Sequence, residues 1–390
     1  MTSSKPTDFP LVFLIWGAGL GSAAQYGKVS VIFEDIAQLY PDAGASLGFT
    51  VSLVGFVGIV LGVTAGVLVG RIGFRAALIG GLLAGGLVSM YQASLPSLAM
   101  FLASRVVEGM SHLAIVVAAP TLISLISAER HRGFTLTLWG TFFGVAYTVL
   151  VWAGLPLVAG FGVPALFVAH GIYMIGFAGL LWARLVADAP GVRDPVSLGG
   201  VLRRHLAIYR SPFISAPGIG WLFYTLSFVS TLTLLPPFIA PEWRVFVIGA
   251  MPLISIASSL ILGVRLLTWF SPVAVMQMGF LGAALTALML VAAPGQPTLC
   301  LVLAAALGLV QGAGFAAVPH LNAAPDDRAQ ANGALAQTGN IGNTLGTPLL
   351  LGIIAVAGHS GFMLTAAGLL TVGAASQAWL AMRRKRAALG

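Results

Sequence analysis

Three ionisable residues stand close together in the segment "ASRVVEGMSHL", residues 103–113. They are Arg105, Glu108 and His112, and the stretches on both sides carry no charge. Spacings of three and four residues place all three on one face of a helix. The surrounding apolar run begins near residue 97, so these groups lie about 12–22 Å along the helix. If the helix crosses a bilayer, they lie near its middle.

A charge at that depth costs about 2.5–3.5 kcal/mol, so such groups usually pair with one another or line a polar cavity. The pattern favours Arg105 as the ligand of an anion and Glu108, with His112, as the carrier of a proton. Two structural readings stay open. The pair of Arg105 and Glu108 could serve packing alone, and His112 could donate to a neighbouring carbonyl group.

A second buried cation is expected from the first apolar segment, "GSAAQYGKVSVIFED". Ser22, Gln25 and Lys28 follow one another at intervals of three and share a helix face. Lys28 lies about 15 Å from the outer end of this helix. That depth favours a cavity-lining cation, and the alternative is a side chain that reaches back to the interface. We therefore expect Gln25 and Lys28 to bind substrate together with Arg105.

The second half of the chain offers neutral polar groups. Tyr224 is predicted to share a face with Trp221, Ser227 and Thr231, although aromatic packing explains that face nearly as well. A later segment, "GALAQTGNIGNTLGTPLL", separates two faces. Its polar face comprises Gln337, Asn340, Thr344 and Thr347, and its glycine face comprises Gly339, Gly342 and Gly346. Glycine suits close helix packing. We expect Tyr224, Gln337 and Asn340 to complete the substrate site.

The elements that must hold these residues are membrane-spanning helices. The chain has 390 residues, of which 58% are hydrophobic and 8% charged, and its mean hydropathy is +0.98. Soluble domains carry about 25% charged residues, so this composition excludes that class. The apolar runs are continuous over 20 residues or more, as in helices, whereas barrel strands alternate apolar and polar residues. The predicted fold class is therefore an all-α integral membrane protein.

Twelve spans are predicted, six on each side of a polar stretch. They cover residues 10–38, 45–69, 74–95, 97–127, 133–158, 162–186, 212–240, 245–268, 272–293, 297–319, 329–357 and 360–382. The predicted organisation is an N-terminal six-helix bundle (1–187), a central loop (188–210) and a C-terminal six-helix bundle (211–390). A faint repeat relates the two halves, in which Glu108 aligns with Gln311. Parallel repeats of this kind are typical of one transporter architecture.

Basic residues predict the orientation. With the N-terminus in the cytoplasm, the loops and tails on that side hold Lys5, Arg71, Arg75, Arg130, Arg132, Arg193, Arg203, Arg204, Arg210, Arg265, Arg328, Arg383, Arg384, Lys385 and Arg386. The opposite loops hold Arg244. The positive-inside rule then places both termini in the cytoplasm. The same bias explains the pI of about 10.1 without a nucleic-acid partner.

The chain resembles the major facilitator superfamily, of the twelve-span bacterial type. Besides the 6+6 organisation, "GVLVGRIGFR" (66–75) resembles the cytoplasmic signature G-x-x-x-D-R-x-G-R-R, and "RVVEGMS" resembles the R-x-x-x-G signature of the fourth span. Gly66, Arg71, Gly73 and Arg75 match the first signature, whereas Gly70 replaces its aspartate. The resemblance implies that these residues act in conformational change, and the missing aspartate puts the usual outward-open latch in doubt.

The resemblance implies secondary active transport by alternating access, in which two pseudo-symmetric bundles rock. Two buried cations against one carboxylate favour a small organic or inorganic anion, in symport with protons, across the inner or plasma membrane. The alternative is a proton-driven exporter of drugs or other amphipathic compounds. The span-five exporter motif G-P-x-x-G-G is absent from "LTLWGTFFGVAYTVLVWAGLPL".

Other classes of function find little support in the sequence. There is no H-E-x-x-H pair, and the single G-x-S-x-G match, GASLG at 44–48, opens an apolar segment and does not form the strand-to-helix turn of a nucleophile elbow, so no enzyme activity is predicted. The single cysteine, Cys300, indicates neither a disulfide nor a metal cluster. No cofactor and no metal are expected. The expected partners are the substrate, protons and lipid, and the protein is expected to work as a monomer.

Overall fold

The structure is a computed structural model, and it describes residues 6–186 and 205–387. The first half of the described chain is helical throughout. Its helices are α1 (Phe9–Val31), α2 (Phe33–Leu39), α3 (Gly48–Ser52), α4 (Phe56–Ile72), α5 (Phe74–Gln92), α6 (Leu98–Ile126), α7 (Glu129–Gly140), α8 (Phe142–Val149), α9 (Leu155–Phe161) and α10 (Val163–Arg184).

The second half continues in the same way. Its helices are α11 (205–210), α12 (Ser215–Leu234), α13 (Pro241–Ala257), α14 (Val264–Leu266), α15 (Pro272–Ala292), α16 (Pro297–Leu321) and α17 (Pro325–Ala387). Shorter 3₁₀ or π-helical turns connect several of these helices. The prediction of an all-α membrane protein is confirmed.

Ten helical stretches of the described chain are long and apolar enough to cross a membrane. One of them, Asp326–Ala387, has 62 residues, which corresponds to about 90 Å of helix. It is interrupted at Gly358, whose φ of 58° is left-handed, and each part is long enough for one crossing. α12 is rich in serine and threonine and is not among the ten. The total of twelve spans stays a prediction.

Local chemistry explains where several helices begin and bend. Asp8 caps α1, because its carboxylate accepts a hydrogen bond from the Leu11 amide at 3.0 Å. The first predicted span ends early, at Ile32, and α2 continues after this break. A π-helical turn at Leu150–Gly154 precedes Pro156, whose ring nitrogen has no N–H to donate.

The described helices group into two compact units. Unit 1 comprises Met1–Pro41 and Thr64–Pro195, and unit 2 comprises Asp42–Val63 and Val196–Gly390. In unit 1, α1 packs against α6, α8 and α10, and α5 packs against α6 and α10. Most of the predicted central loop lies outside the described residues. The predicted domain boundaries therefore stay a prediction.

Glycine allows close packing between α12 and α17 in unit 2. A side chain on Gly342 would stand 2.7 Å from the Leu222 carbonyl oxygen and 2.8 Å from the Leu226 nitrogen. Gly339 faces the Trp221 ring, one turn earlier on α17. The prediction that one face of this segment serves close packing is confirmed.

Candidate functional site

Four helices of unit 1 bring a set of buried polar side chains together. α1 supplies Gln25 and Lys28, α5 supplies Ser89 and Gln92, α6 supplies Arg105, Glu108 and His112, and α10 supplies His170. We call Lys28, Arg105 and Glu108 the ion cluster. The side chains of all three are 0% exposed. The predicted pairing of buried charges is therefore present, and its centre is Glu108.

Glu108 receives both cations. One of its carboxylate oxygens, Oε1, accepts from Lys28 Nζ at 2.6 Å, and Oε2 pairs with Arg105 Nη1. Gln92 Nε2 donates to Oε2 as well, at 3.0 Å. When all three groups are ionised, the ion cluster carries one net positive charge. Pairs of this kind are strong inside a protein because little water screens them.

Lys28 has an acceptor for each of its three ammonium protons. Besides Glu108, they are Ser89 Oγ at 2.9 Å and His170 Nδ1 at 3.2 Å. The ammonium also lies 5.2 Å from the centre of the Phe167 ring, which a cation favours. Lys28 is thus a deep cation held by three helices besides its own. The alternative of a side chain that reaches the interface is wrong, because the side chain is fully buried.

Arg105 connects α6 to α1. Its Nη2 donates to the backbone carbonyl of Gln25 at 2.6 Å, while Nη1 pairs with Glu108. The planar guanidinium thereby serves two acceptors on different helices, which a lysine could not do in the same geometry. Gly27 of the same turn of α1 lies against the Tyr147 ring of α8. Arg105 therefore lies where α1 and α6 meet.

His112 lies one turn beyond Glu108 on α6 and contacts Ser22 of α1. Its Nδ1 lies 2.9 Å from Ser22 Oγ and 3.1 Å from the Ser22 carbonyl oxygen. Its ring meets Tyr26 edge to face, with centroids 5.1 Å apart. This geometry matches the structural reading, in which the ring donates to a neighbouring carbonyl. A role of His112 in proton transfer stays a proposal.

His170 belongs to the site, although the sequence assigned it no role. Its Nδ1 accepts from Lys28, so Nε2 carries the proton and donates to the Gly21 carbonyl at 2.9 Å. In the sequence it is a lone histidine in an apolar run, which signals nothing by itself. Ser89 and Gln92 were missed as well. Their spacing of three residues at the end of α5 was the available signal.

The predicted residues of unit 2 lie in two places. Tyr224 is buried beside Trp221 and Phe228, with ring centroids 4.7 and 5.2 Å from theirs. Gln337 instead bonds to two residues of α11. Its Oε1 accepts from Tyr209 Oη at 2.8 Å, and its Nε2 lies 3.1 Å from His205 Nε2.

Gln337 and Asn340 also pack against α4. Gln337 Nε2 donates to the Ile59 carbonyl at 3.2 Å, and Asn340 is the side chain that faces Gly58. Asn340 Nδ2 donates to the Ala336 carbonyl at 2.9 Å. In this structure the amide groups of both residues bond to protein atoms. Their binding of substrate stays a proposal.

The cytoplasmic signature forms a tight connection between α4 and α5. Gly66 lies within α4, and exposed Arg71 lies in its last turn. Gly73 has a φ of 99°, a conformation that favours glycine. Arg75 bonds to the end of α10: its Nε donates to the Leu185 carbonyl and its Nη2 to the Trp182 carbonyl, both at 2.9 Å.

Comparison with known proteins connects this arrangement to a family. A profile described as Major Facilitator Superfamily matches residues 11–323. The chain belongs to the Major Facilitator Superfamily. It is a multi-pass membrane transporter, since this family consists of transporters and not enzymes. The resemblance predicted from the motifs is confirmed.

Solved structures share the superfamily fold. The chain is similar to the E. coli fucose:proton symporter FucP, with 15% identity and a TM-score of 0.66 over 96% of this chain and 98% of that chain. It is also similar to PepTSo, a POT family transporter, with 10% identity and a TM-score of 0.73 over 97% of this chain and 98% of that chain. No curated protein sequence matches. At these identities the likeness shows the fold alone.

Proposed function

We propose that this superfamily member is a secondary active transporter that moves a small anion together with protons by alternating access. The observation that carries the proposal is the ion cluster, in which two fully buried cations share one carboxylate. An isolated buried charge is costly, and a cluster with one net positive charge is best completed by an anion. Arg105 and Lys28 bind the anion, and Gln25 positions it. Tyr224, Gln337 and Asn340 supply further contacts.

Binding of the proton and binding of the anion are coupled because Glu108 and the anion compete for the same two cations, Lys28 and Arg105. Both oxygens of Glu108 accept from cations in this structure, so a proton on Glu108 weakens its hold on Lys28 and Arg105. The released cations then bind the anion. Conversely, an anion on the cations frees Glu108 to take a proton. Each ligand favours the binding of the other, and such coupling is reciprocal. This predicts symport, with His112 as a second carrier of the proton.

One fold neighbour agrees with proton coupling in kind, because FucP is a fucose:proton symporter. We place the protein in the inner or plasma membrane, with both termini in the cytoplasm, because of the arginine asymmetry. We expect a single chain to hold the complete transport path.

Binding to purified protein tests the substrate class. Unfolding temperature is measured with a panel of small carboxylates, nitrate and phosphate, beside lipophilic cations such as tetraphenylphosphonium. A ligand at 100 times its Kd adds about 2.7 kcal/mol of stability, so a specific anion gives a clear shift. Proteoliposomes with and without an inward pH gradient then test coupling. Anion uptake that ignores the gradient would refute symport.

A proton-driven exporter of amphipathic compounds is the second candidate. An aromatic group in unit 2 favours it: the Trp221 ring lies 4.7 Å from Tyr224 and 4.8 Å from Phe315, and Tyr224 stacks on Phe228. Stacked aromatic side chains suit apolar or cationic ligands. Stabilisation by lipophilic cations and by none of the anions would favour this function over anion symport.

A further inference from the structure

Two glutamine side chains beside the ion cluster have carbonyl oxygens that lack a donor. Gln25 and Gln92 are fully buried, and their Oε1 atoms have no hydrogen-bond partner among the described residues. Buried side-chain carbonyl groups are usually hydrogen-bonded. Either amide could in principle be turned around, which would exchange its oxygen and nitrogen. The neighbouring serines decide the orientation in both cases.

Gln25 is oriented by Ser111. Its Nε2 donates to Ser111 Oγ at 2.8 Å, and Ser111 Oγ donates to the Gly81 carbonyl at 2.6 Å. A hydroxyl group has one proton, and the carbonyl of Gly81 takes it. Ser111 Oγ can therefore only accept from Gln25, so the amide nitrogen must face Ser111. The Oε1 atom of Gln25 is left without a donor.

Gln92 is oriented in the same way by Ser104 and Glu108. Its Nε2 donates to Ser104 Oγ at 2.9 Å and to Glu108 Oε2 at 3.0 Å. Ser104 Oγ donates its own proton to the Phe101 carbonyl at 2.6 Å. Both partners of Gln92 are thus acceptors, and the amide nitrogen must face them. The Oε1 atom of Gln92 is the second carbonyl oxygen without a donor.

The two unpaired Oε1 atoms belong to residues that are hydrogen-bonded to the ion cluster. The backbone carbonyl of Gln25 accepts from Arg105, and the amide of Gln92 donates to Glu108. We propose that the substrate is a small carboxylate that also carries a neutral hydrogen-bond donor, a hydroxy-carboxylate. Its carboxylate binds the cations, and its donor group binds the carbonyl oxygen of Gln25 or Gln92. This inference rests on the proposed anion transport and narrows it.

The chemistry separates this class from simpler anions. Nitrate, acetate and propionate only accept hydrogen bonds, so they satisfy the cations and leave both glutamine oxygens unpaired. Sites built to bond a substrate hydroxyl or amine reject the analogue that lacks it, because their own polar group then stays buried and unpaired. The Gln25 and Gln92 carbonyl groups are therefore specificity-determining groups.

Matched ligand pairs test the inference on the purified full-length protein. The pairs are lactate with propionate and glycolate with acetate, and Kd is measured for each member. In at least one pair, we expect the donor-bearing member to bind about tenfold more tightly, as one hydrogen bond to a buried group provides. The variants Gln25→Met and Gln92→Met should bring that ratio towards one.

Gln377→Met is the matched control. Gln377 is also buried and donates through Nε2 to the Ala216 carbonyl at 2.9 Å, but it lies in unit 2. We expect this variant to keep the wild-type ratio. Equal binding within every pair, or binding of nitrate but of neither member of any pair, would overturn the inference and leave anion transport standing. If no anion binds at all, both proposals fail.

Discussion

At the scale of single residues, Glu108 is the group that neutralises the ion cluster. Glu108→Gln keeps the shape of the side chain and leaves Lys28 and Arg105 buried without their counter-charge. Removal of one partner from a buried pair destabilises by roughly 3–5 kcal/mol. We expect a lower unfolding temperature for Glu108→Gln and a larger stabilisation of this variant by the transported anion than of the wild type.

The double variant Lys28→Met with Glu108→Gln is the control for this prediction. It restores the net charge of the ion cluster to that of the wild type, and we expect it to recover part of the lost stability. A Glu108→Gln protein as stable as the wild type, with unchanged proton-driven accumulation, would exclude Glu108 as the proton carrier and leave His112 as the next candidate.

Arg105 carries a prediction of its own because its guanidinium bonds to two helices. Arg105→Ala leaves Lys28 paired with Glu108, so the protein should remain folded in the membrane but lose anion binding. Arg105→Lys should recover little, since an ammonium cannot replace a fork that serves both Glu108 and the Gln25 carbonyl. Equilibrium binding and uptake in proteoliposomes measure both effects. Normal transport by Arg105→Ala would contradict the proposed anion site.

The sequence predicted the charged residues of this site and their neighbour Gln25, but not the side chains that accept from Lys28 besides Glu108. Arg105, Glu108 and Lys28 stand out because charges in long apolar runs are rare and costly. The acceptor atoms around Lys28 do not stand out, because a serine or histidine in a span is unremarkable on its own. His170 lies 142 residues from Lys28 in the chain, so their contact depends on the packing of α1 against α10.

At the scale of elements, Arg75 ties the cytoplasmic signature to α10. Its two hydrogen bonds occupy carbonyl groups at the end of that helix, where a cation is also favoured by the helix dipole. Arg75→Ala should increase amide hydrogen exchange over residues 182–186. Arg71→Ala, at an exposed position of the same signature, should leave that exchange unchanged. Equal exchange in wild type and Arg75→Ala would show that the cap contributes nothing to the end of α10.

The second prediction at this scale concerns Gly342, which packs against α12. Gly342→Ala places a methyl group against the backbone of α12, and overpacking of this kind destabilises by about 1–3 kcal/mol. Gly352→Ala is the matched control on the same helix, because open space surrounds that position. We expect a lower unfolding temperature for Gly342→Ala, and an unchanged or slightly higher one for Gly352→Ala. The reverse order would disprove the packing role.

Interruptions of the helices were harder to predict than the helices themselves. Hydropathy predicts long apolar helices well, since a bilayer demands them. The break at Ile32 and the π-helical turns at Leu150–Gly154 and Ser258–Gly263 lie inside apolar segments, so the hydropathy of the sequence does not mark them. They depend on how each backbone hydrogen bond is satisfied by neighbouring turns and helices. The same limit applies to Gln337, whose partners Tyr209 and His205 belong to the predicted central loop.

At the scale of the whole molecule, the distribution of arginine predicts the orientation in the membrane. Both termini and the central loop should be cytoplasmic, because the loops and tails on that side hold nearly all the basic residues. New cysteines at Ser3 and Ser197, which lie outside the described residues, should resist an impermeant thiol reagent added to intact cells. They should react once the cells are permeabilised.

The chain provides the controls for this experiment. Cys300 is fully buried, so it should give little background labelling. Ser94 is exposed in the predicted outer loop between α5 and α6, and Ser94→Cys should therefore be labelled from outside. Labelling of Ser3→Cys or Ser197→Cys in intact cells would show that the predicted orientation is wrong. The direction of the pH gradient that drives uptake would then have to be reassigned, because Glu108 would take up its proton from the opposite side.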